Sequence, residues 1–277
     1  MKKISFLLIA CLCLFASCDK VETFTVFSGS TGTWYDGAGV ADHSQRAFLE
    51  KYTGPRCPNC PTADEVISTA LGKYGEQLIA IAVHDSSYFG KPLGDVDLRT
   101  DDGNTWSQFL GVFSAGSYPT ARLNRTVSGS SFEVINPVSG FDSKIDAILA
   151  SEPLLALEVG STLDGRDAAI DVNLEFLNTI AEPTTLTLII IEDSIVAPQT
   201  LPDGSHDEAY VHNHILRDVI TDVWGADVDA DGQAGTKRYV RFDYQVPETY
   251  RLEHCHIVAF VSYKGSRQII NAAECDL

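Results

Sequence analysis

Two cysteines separated by two residues, in Arg56-Cys57-Pro58-Asn59-Cys60-Pro61, are the strongest chemical signal in this chain. A dithiol at that spacing opens and closes as a small-loop disulfide. The second thiol can also release a mixed disulfide formed by the first. The chemistry works best at a helix N-terminus, where the backbone dipole favours a thiolate. The sequence supplies that setting, because apolar Ala47-Phe48-Leu49 precedes the pair and a helix-like run over residues 62–71 follows it. A permanent structural disulfide is the other reading of the same spacing. A zinc site would need further thiolates, and no second C-x-x-C is present.

Other residues with chemical capacity are scattered. Cys255 and Cys275 fall on consecutive predicted strands and are equidistant from Gly265. A three-residue turn at Lys264-Gly265-Ser266 would place them opposite each other as a disulfide, and a pair of buried free thiols is the alternative. His212-x-His214 and His254-x-His256 each put two imidazoles on one face of a strand, a spacing open to metal binding or to plain hydrogen bonding. Asp227-Val228-Asp229-Ala230-Asp231-Gly232 fits the first half of a calcium loop. Arg238 stands where the bidentate Glu belongs, so a solvated acidic hairpin is the better reading. No phosphate loop, nucleophile elbow or carboxylate pair stands out. The sequence therefore calls for no cofactor and no metal.

The elements that must position the dithiol alternate. A strand over residues 46–52 leads to the cysteines, a helix covers 62–74, and Leu78-Ile79-Ala80-Ile81-Ala82-Val83 reads as a buried parallel strand. A helix over 101–113 carries Trp106, Phe109, Leu110 and Phe113 on one face. Tyr118-Pro119-Thr120 introduces a short strand, and a helix over 142–150 closes the segment before Pro153. Beyond Pro153 the pattern changes to strands, over 154–160, 168–176, 184–192, 210–222, 237–246, 254–263 and 267–274. That run predicts an antiparallel β-sandwich of Ig-like type. The predicted organisation is a signal peptide at 1–17, a tether at 18–43 with one strand near 22–27, an α/β unit at 44–152 and an all-β unit at 153–277.

The leader fixes the compartment. Lys2 and Lys3 precede a short apolar stretch, and Leu14-Phe15-Ala16-Ser17-Cys18 resembles a bacterial lipobox. Cys18 is then the lipidated first residue of the mature protein, with the membrane as its partner through acyl chains. Cys11 and Cys13 leave with the leader, so Cys57, Cys60, Cys255 and Cys275 are the mature thiols in an oxidising compartment. The net charge of −18 argues against nucleic acid and against anionic headgroups as ligands.

Strand, C-x-x-C, helix and a later Tyr118-Pro119-Thr120 together resemble the thioredoxin superfamily. That resemblance implies Cys57 as nucleophile, Cys60 as resolving thiol and Pro119 as a cis-proline that positions substrate. The chain departs from the pattern in having Arg56 beside the first cysteine and Glu50 or Lys51 where a buried acid is usual. Arg56 could depress the Cys57 pKa, and Glu50 could relay a proton if it points inward. The whole chain is also similar to the 28-kDa outer-membrane protein family of bacterial lipoproteins. The motifs that carry this are Glu50-Lys51-Tyr52-Thr53-Gly54-Pro55-Arg56-Cys57-Pro58-Asn59-Cys60-Pro61 and Tyr210-Val211-His212-Asn213-His214-Ile215-Leu216-Arg217. The resemblance implies an outer-membrane location, facing the periplasm or the surface. Two roles stay open, disulfide exchange on exported proteins and a non-catalytic surface-binding or adhesin role. An exchanger would show Cys57 more exposed than Cys60.

Overall fold

The computed structural model describes residues 32–277. The signal peptide, Cys18 and the expected strand near 22–27 lie outside the described residues. The elements are β1 (Trp34–Asp36), β2 (Ala47–Thr53), α1 (Cys60–Tyr74), β3 (Leu78–His84), α2 (Asp101–Phe109), α3 (Val112–Ala115), β4 (Thr120–Leu123), β5 (Val127–Ser128), β6 (Ser131–Phe132) and α4 (Asp142–Leu149). They continue as β7 (Leu155–Asp164), β8 (Asp167–Phe176), β9 (Thr184–Glu192), β10 (Ile195–Val196), β11 (Gln199–Thr200), β12 (His206–Asp207), β13 (Val211–His212), β14 (Ile215–Val219), β15 (Ala226–Asp227), β16 (Lys237–Gln245), β17 (Cys255–Tyr263) and β18 (Ile269–Asp276). The protein is mostly β, with few helices and several sheets. Among the described residues no helix is long and apolar enough to cross a membrane.

One eight-stranded sheet organises the molecule, in the order β18-β17-β9-β14-β3-β2-β4, with β15 also on β9. The β2–β3 and β3–β14 pairs are parallel and the rest are antiparallel. The strands on either side of residue 152 therefore share a single sheet, where the sequence suggested a sheet for each half. The physical reason is the composition of β3. Leu-Ile-Ala-Ile-Ala-Val-His is buried throughout and has no polar edge, so it needs a neighbour on both sides. β2 provides one and β14 the other.

The two faces of this sheet are covered differently. Ala47, Leu49, Leu78 and Ala80 pack with Ile67 and Ala70 of α1 and Ile145 of α4. Further along the same face, Leu186, Leu188 and Ile190 of β9 meet Leu155, Ile170, Val172 and Phe242 of a second sheet, ordered β1-β16-β8-β7. The opposite face gathers Phe48, Tyr52, Ile79, Ile81, Ile189, Ile191, Val258 and Phe260 with Trp106 of α2. This third cluster draws on both halves of the chain.

Two elements depart from the sequence reading. The helix expected over 101–113 breaks into α2 and α3 at Gly111, whose φ of 72° lies in the left-handed region. The break leaves Phe109 and Phe113 exposed, whereas Trp106 and Leu110 are buried. The strand expected over 210–222 is interrupted between β13 and β14. His214 has a φ of 58°, and its amide donates to the Asp193 carboxylate at 2.5 Å. That turn returns the chain to the main sheet as β14 after its excursion over residues 193–213.

Candidate functional site

Parallel β2 delivers the chain to the dithiol through a tight turn. Gly54 is required there, since a Cβ would come within 2.1 Å of the Phe89 carbonyl. The Cys57 amide donates to Gly54 O at 3.0 Å and the Cys60 amide to Cys57 O at 3.2 Å, so the turn runs directly into α1. Pro61 suits the first helical turn, where its missing N–H would have no partner anyway. Cys57 and Cys60 form a disulfide with Cα atoms 5.4 Å apart.

Neither sulfur-bearing residue reaches solvent, because Cys57 and Cys60 are both 0% exposed. The expected difference in exposure between them does not exist. Both cysteines lie in the apolar cluster that includes Phe48, Tyr52, Trp106 and Tyr118, and residues 193–214, between β9 and β14, bond the turn that carries them. Gln199 donates its side-chain amide to Cys57 O at 2.9 Å, and the Thr200 amide donates to Pro55 O at 2.8 Å. The small pairs β10–β13 and β11–β12 stiffen this segment as it crosses the turn.

Pro119 stands beside the dithiol loop. The Tyr118–Pro119 bond is cis, and Tyr118, Pro119 and Thr120 line a cleft of about 440 Å³ with Asn59 and Thr62. The fully buried Asp85 fixes this corner by accepting from the Tyr118 hydroxyl, the Ser107 hydroxyl and the Ser87 amide. Asp85 was not singled out in the sequence. It sits just past the β3 run, among polar loop residues with no distinguishing pattern.

Strand alternation decides the Glu50-or-Lys51 question. Glu50 faces α2 and is held by the Arg125 guanidinium in two bonds of 2.9 and 2.7 Å, so it is not a proton relay for the dithiol. Lys51 faces α1 instead. It is 6% exposed, and its ammonium contacts Asp64 one helical turn beyond Cys60. Burial pulls the Lys51 pKa down to about 7, against which the Asp64 carboxylate acts. Asp64 also accepts from Tyr210 Oη at 2.8 Å. Arg56 does not serve the thiol either, since its guanidinium donates to Lys91 O and Pro92 O at 3.1 and 2.8 Å.

A pair of buried histidines adjoins this arrangement. His84, at the end of β3, is 2% exposed and neither ring nitrogen has a partner. The His212 ring stands edge-on to it with centroids 6.0 Å apart, and Tyr210 packs on His212 at 4.9 Å. His212 hydrogen-bonds Ala197 O at 3.2 Å. His84 closes an apolar run and could have been noticed in the sequence. Its meeting with His212 could not.

Cys255 and Cys275 carry free thiols, which corrects the expected disulfide. Cys275 lies opposite Ile257 and Cys255 opposite the chain end, so the two are diagonal neighbours. Diagonal positions are about 7–8 Å apart, too far to bridge. Burial pushes the Cys255 thiol up to about 12 and the Cys275 thiol to about 11. In native protein at pH 8, Cys255 is expected to resist iodoacetamide for hours, whereas denatured protein takes up two labels without reductant. Mass spectrometry of the intact chain counts them. A bridged pair would give no label in the denatured protein.

His214 pairs with Asp193 at 3.2 Å and His256 with Asp276 at 3.0 Å. Among the described residues no group of three or more His, Cys, Asp or Glu side chains converges to hold a metal. In the acidic loop, Asp227 pairs with Lys264, and Asp231 accepts from the Gln233 amide and the Thr236 hydroxyl.

The family model for Outer membrane protein Omp28 matches residues 106–276. Among solved structures, HBP35 of Porphyromonas gingivalis superposes with a TM-score of 0.66 at 19% identity, covering 84% of this chain and 76% of that one. Protein AGR_C_4864 from Agrobacterium tumefaciens gives 0.52 at 18% identity, with coverages of 84% and 95%. At these identities the likeness is one of fold. No curated protein matches the chain significantly.

Proposed function

We propose, from the premise that this chain belongs to the Outer membrane protein Omp28 family, that it is a lipid-anchored binding protein whose dithiol is closed to exchange at neutral pH. Residues 44–152 supply a thioredoxin-like unit and residues 153–277 an Ig-like sandwich, fused through one sheet. Cys18 carries the lipid anchor at the outer membrane. The thioredoxin-like half acts as a scaffold for an extracytoplasmic binding role. Support for the thioredoxin-like reading comes from the order of strand, dithiol, helix and the corner at Pro119.

One observation carries the non-catalytic reading: both cysteines are fully buried. A disulfide exchanges only when a thiolate reaches one sulfur in line with the S–S bond. Here both cysteines sit in an apolar cluster with Tyr52 and Tyr118, and Gln199 and Thr200 clamp the Cys57 and Pro55 carbonyls.

The test is mixed-disulfide trapping at pH 7.5 with a Cys60→Ser variant, alongside insulin reduction by the wild-type protein. The expected result is no trapped adduct and no turnover above the dithiothreitol background. A trapped exported protein, or turnover that depends on Cys57, would restore the exchange reading with Cys57 attacking and Cys60 resolving.

A further inference from the structure

The segment that clamps the dithiol loop is fastened by groups whose charge changes in acid. Residues 193–214 leave β9 and return to β14, so both ends are anchored in the main sheet. Between the ends, Gln199 and Thr200 hold the dithiol loop, Tyr210 holds Asp64 on α1, and His212 lies inside against His84. We propose that this segment is an acid-released strap: protonation of His84 and His212 frees it from the dithiol loop, which can then open and admit a reductant to the Cys57–Cys60 disulfide.

His84 is 2% and His212 5% exposed, and an imidazolium buried there would need an anionic partner. No buried one is free. Apart from Glu65, which is exposed on α1, the titratable and charged neighbours on the packed elements are already committed. On β2 and α1, Lys51 is itself a cation and is paired with Asp64, whose other oxygen takes Tyr210; Glu65 lines the neighbouring cleft. After β3, Asp85 is taken by Ser107, Ser87 and Tyr118, and Arg99, bridged to His84 through the backbone, is paired with Asp97. On the strap, Asp193 serves His214 and approaches His256. A second proton in this pocket would therefore face a cation, a second imidazole and no buried carboxylate to spare.

The direction of the pH dependence follows. Burial, the other imidazole and Lys51 hold His84 well below 6.5; burial and then Lys51 take His212 to about 4, with its bond to Ala197 O acting the other way. Groups with depressed folded-state pKa values favour the closed strap above about 6.5 and progressively lose that contribution as pH falls toward 4. At pH 5 the opening equilibrium gains roughly 30-fold from His212 alone, one and a half pH units below its free value.

The experiment uses the full-length protein in detergent with a phosphine reductant, which attacks disulfides in acid as well as at neutrality. Reduction of Cys57–Cys60 is read by alkylation and mass spectrometry from pH 7.5 to 5.0. The rates are normalised to an unstructured C-x-x-C peptide. The expected result is a rise of at least tenfold in the wild type, a much smaller rise in His84→Gln and His212→Gln, and faster reduction at every pH in Gln199→Ala. A flat wild-type profile, or an undiminished rise in both histidine variants, would overturn the strap. If a glutamine variant fails to fold, hydrogen exchange of the wild type decides. Protection of the Thr200 amide must fall at pH 5, after correction for intrinsic rates, whereas β9 and β17 stay protected; retained protection at Thr200 defeats the proposal. Trapping at pH 7.5 tests the closed state separately, so the two readings fail independently.

Discussion

Arg125→Ala is expected to destabilise the chain by about 3–5 kcal/mol, the usual cost of leaving a buried charge without its partner. Glu50 is 0% exposed and sits in the middle of β2. Its carboxylate accepts two bonds from Arg125 and a longer one, 3.4 Å, from the Tyr52 hydroxyl. Arg125 is also wedged between aromatic rings, its guanidinium 4.6 Å from the Trp106 centroid and 5.3 Å from that of Phe260. Alanine would remove the ion pair and the stacking together and leave Glu50 buried and charged. The double variant Glu50→Gln with Arg125→Met keeps the volume and removes both charges, so it should recover more than half of the loss. Urea unfolding followed by circular dichroism measures both. A loss under about 1 kcal/mol in Arg125→Ala would show that the pair is spectator to the fold.

The same residues show what the sequence can and cannot disclose. The dithiol's setting was legible because β2, the turn and α1 are consecutive, and local pattern governs each of them. Its burial was not. The contact from Gln199 to the Cys57 carbonyl spans 142 residues, and Gln199-Thr200 in the sequence is an ordinary polar pair in a loop-like stretch. Glu50 and Lys51 could not be assigned to faces until the register of β2 against β3 was known. A one-residue slip would have exchanged their roles.

The Cys255–Cys275 expectation failed through register as well. Symmetry about Gly265 assumed a three-residue turn and a regular ladder. Tyr263 instead faces Gln268 across a four-residue turn, and a bulge between Val261 and Ser262 adds one more step. The two steps move Cys275 opposite Ile257. Bulges leave little trace in a single sequence, because the extra residue needs no special side chain. The shared sheet was hidden for a related reason. Alternation and apolar runs identify strands, and they do not say which strand pairs with which.

That shared sheet gives the second large expected effect: residues 44–152 expressed alone should not form a stable folded domain. Removing the rest of the chain strips β14 from β3 and leaves an apolar parallel strand as an open edge. It also takes Ile189, Ile191, Leu216, Val258 and Phe260 from the cluster that covers Phe48, Tyr52 and Ile81. At about 25 cal/mol per Å² of apolar surface, exposing several large side chains outweighs the stability an ordinary domain of this size possesses. Polar stitches go with them. Gln45 loses Ile270 O, the Arg46 amide loses the Asn271 side chain, and the Trp106 indole loses Val223 O. Arg125 loses one of its two aromatic faces. The fragment should therefore aggregate or give a collapsed amide spectrum in two-dimensional NMR, while a chain covering residues 32–277 gives a dispersed one. A monomeric, cooperatively unfolding 44–152 fragment would show that β3 tolerates an open edge and that the sheet is two domains in contact. In that case the strap would be an interdomain clasp, and the burial of Cys57 would depend on how the two halves dock.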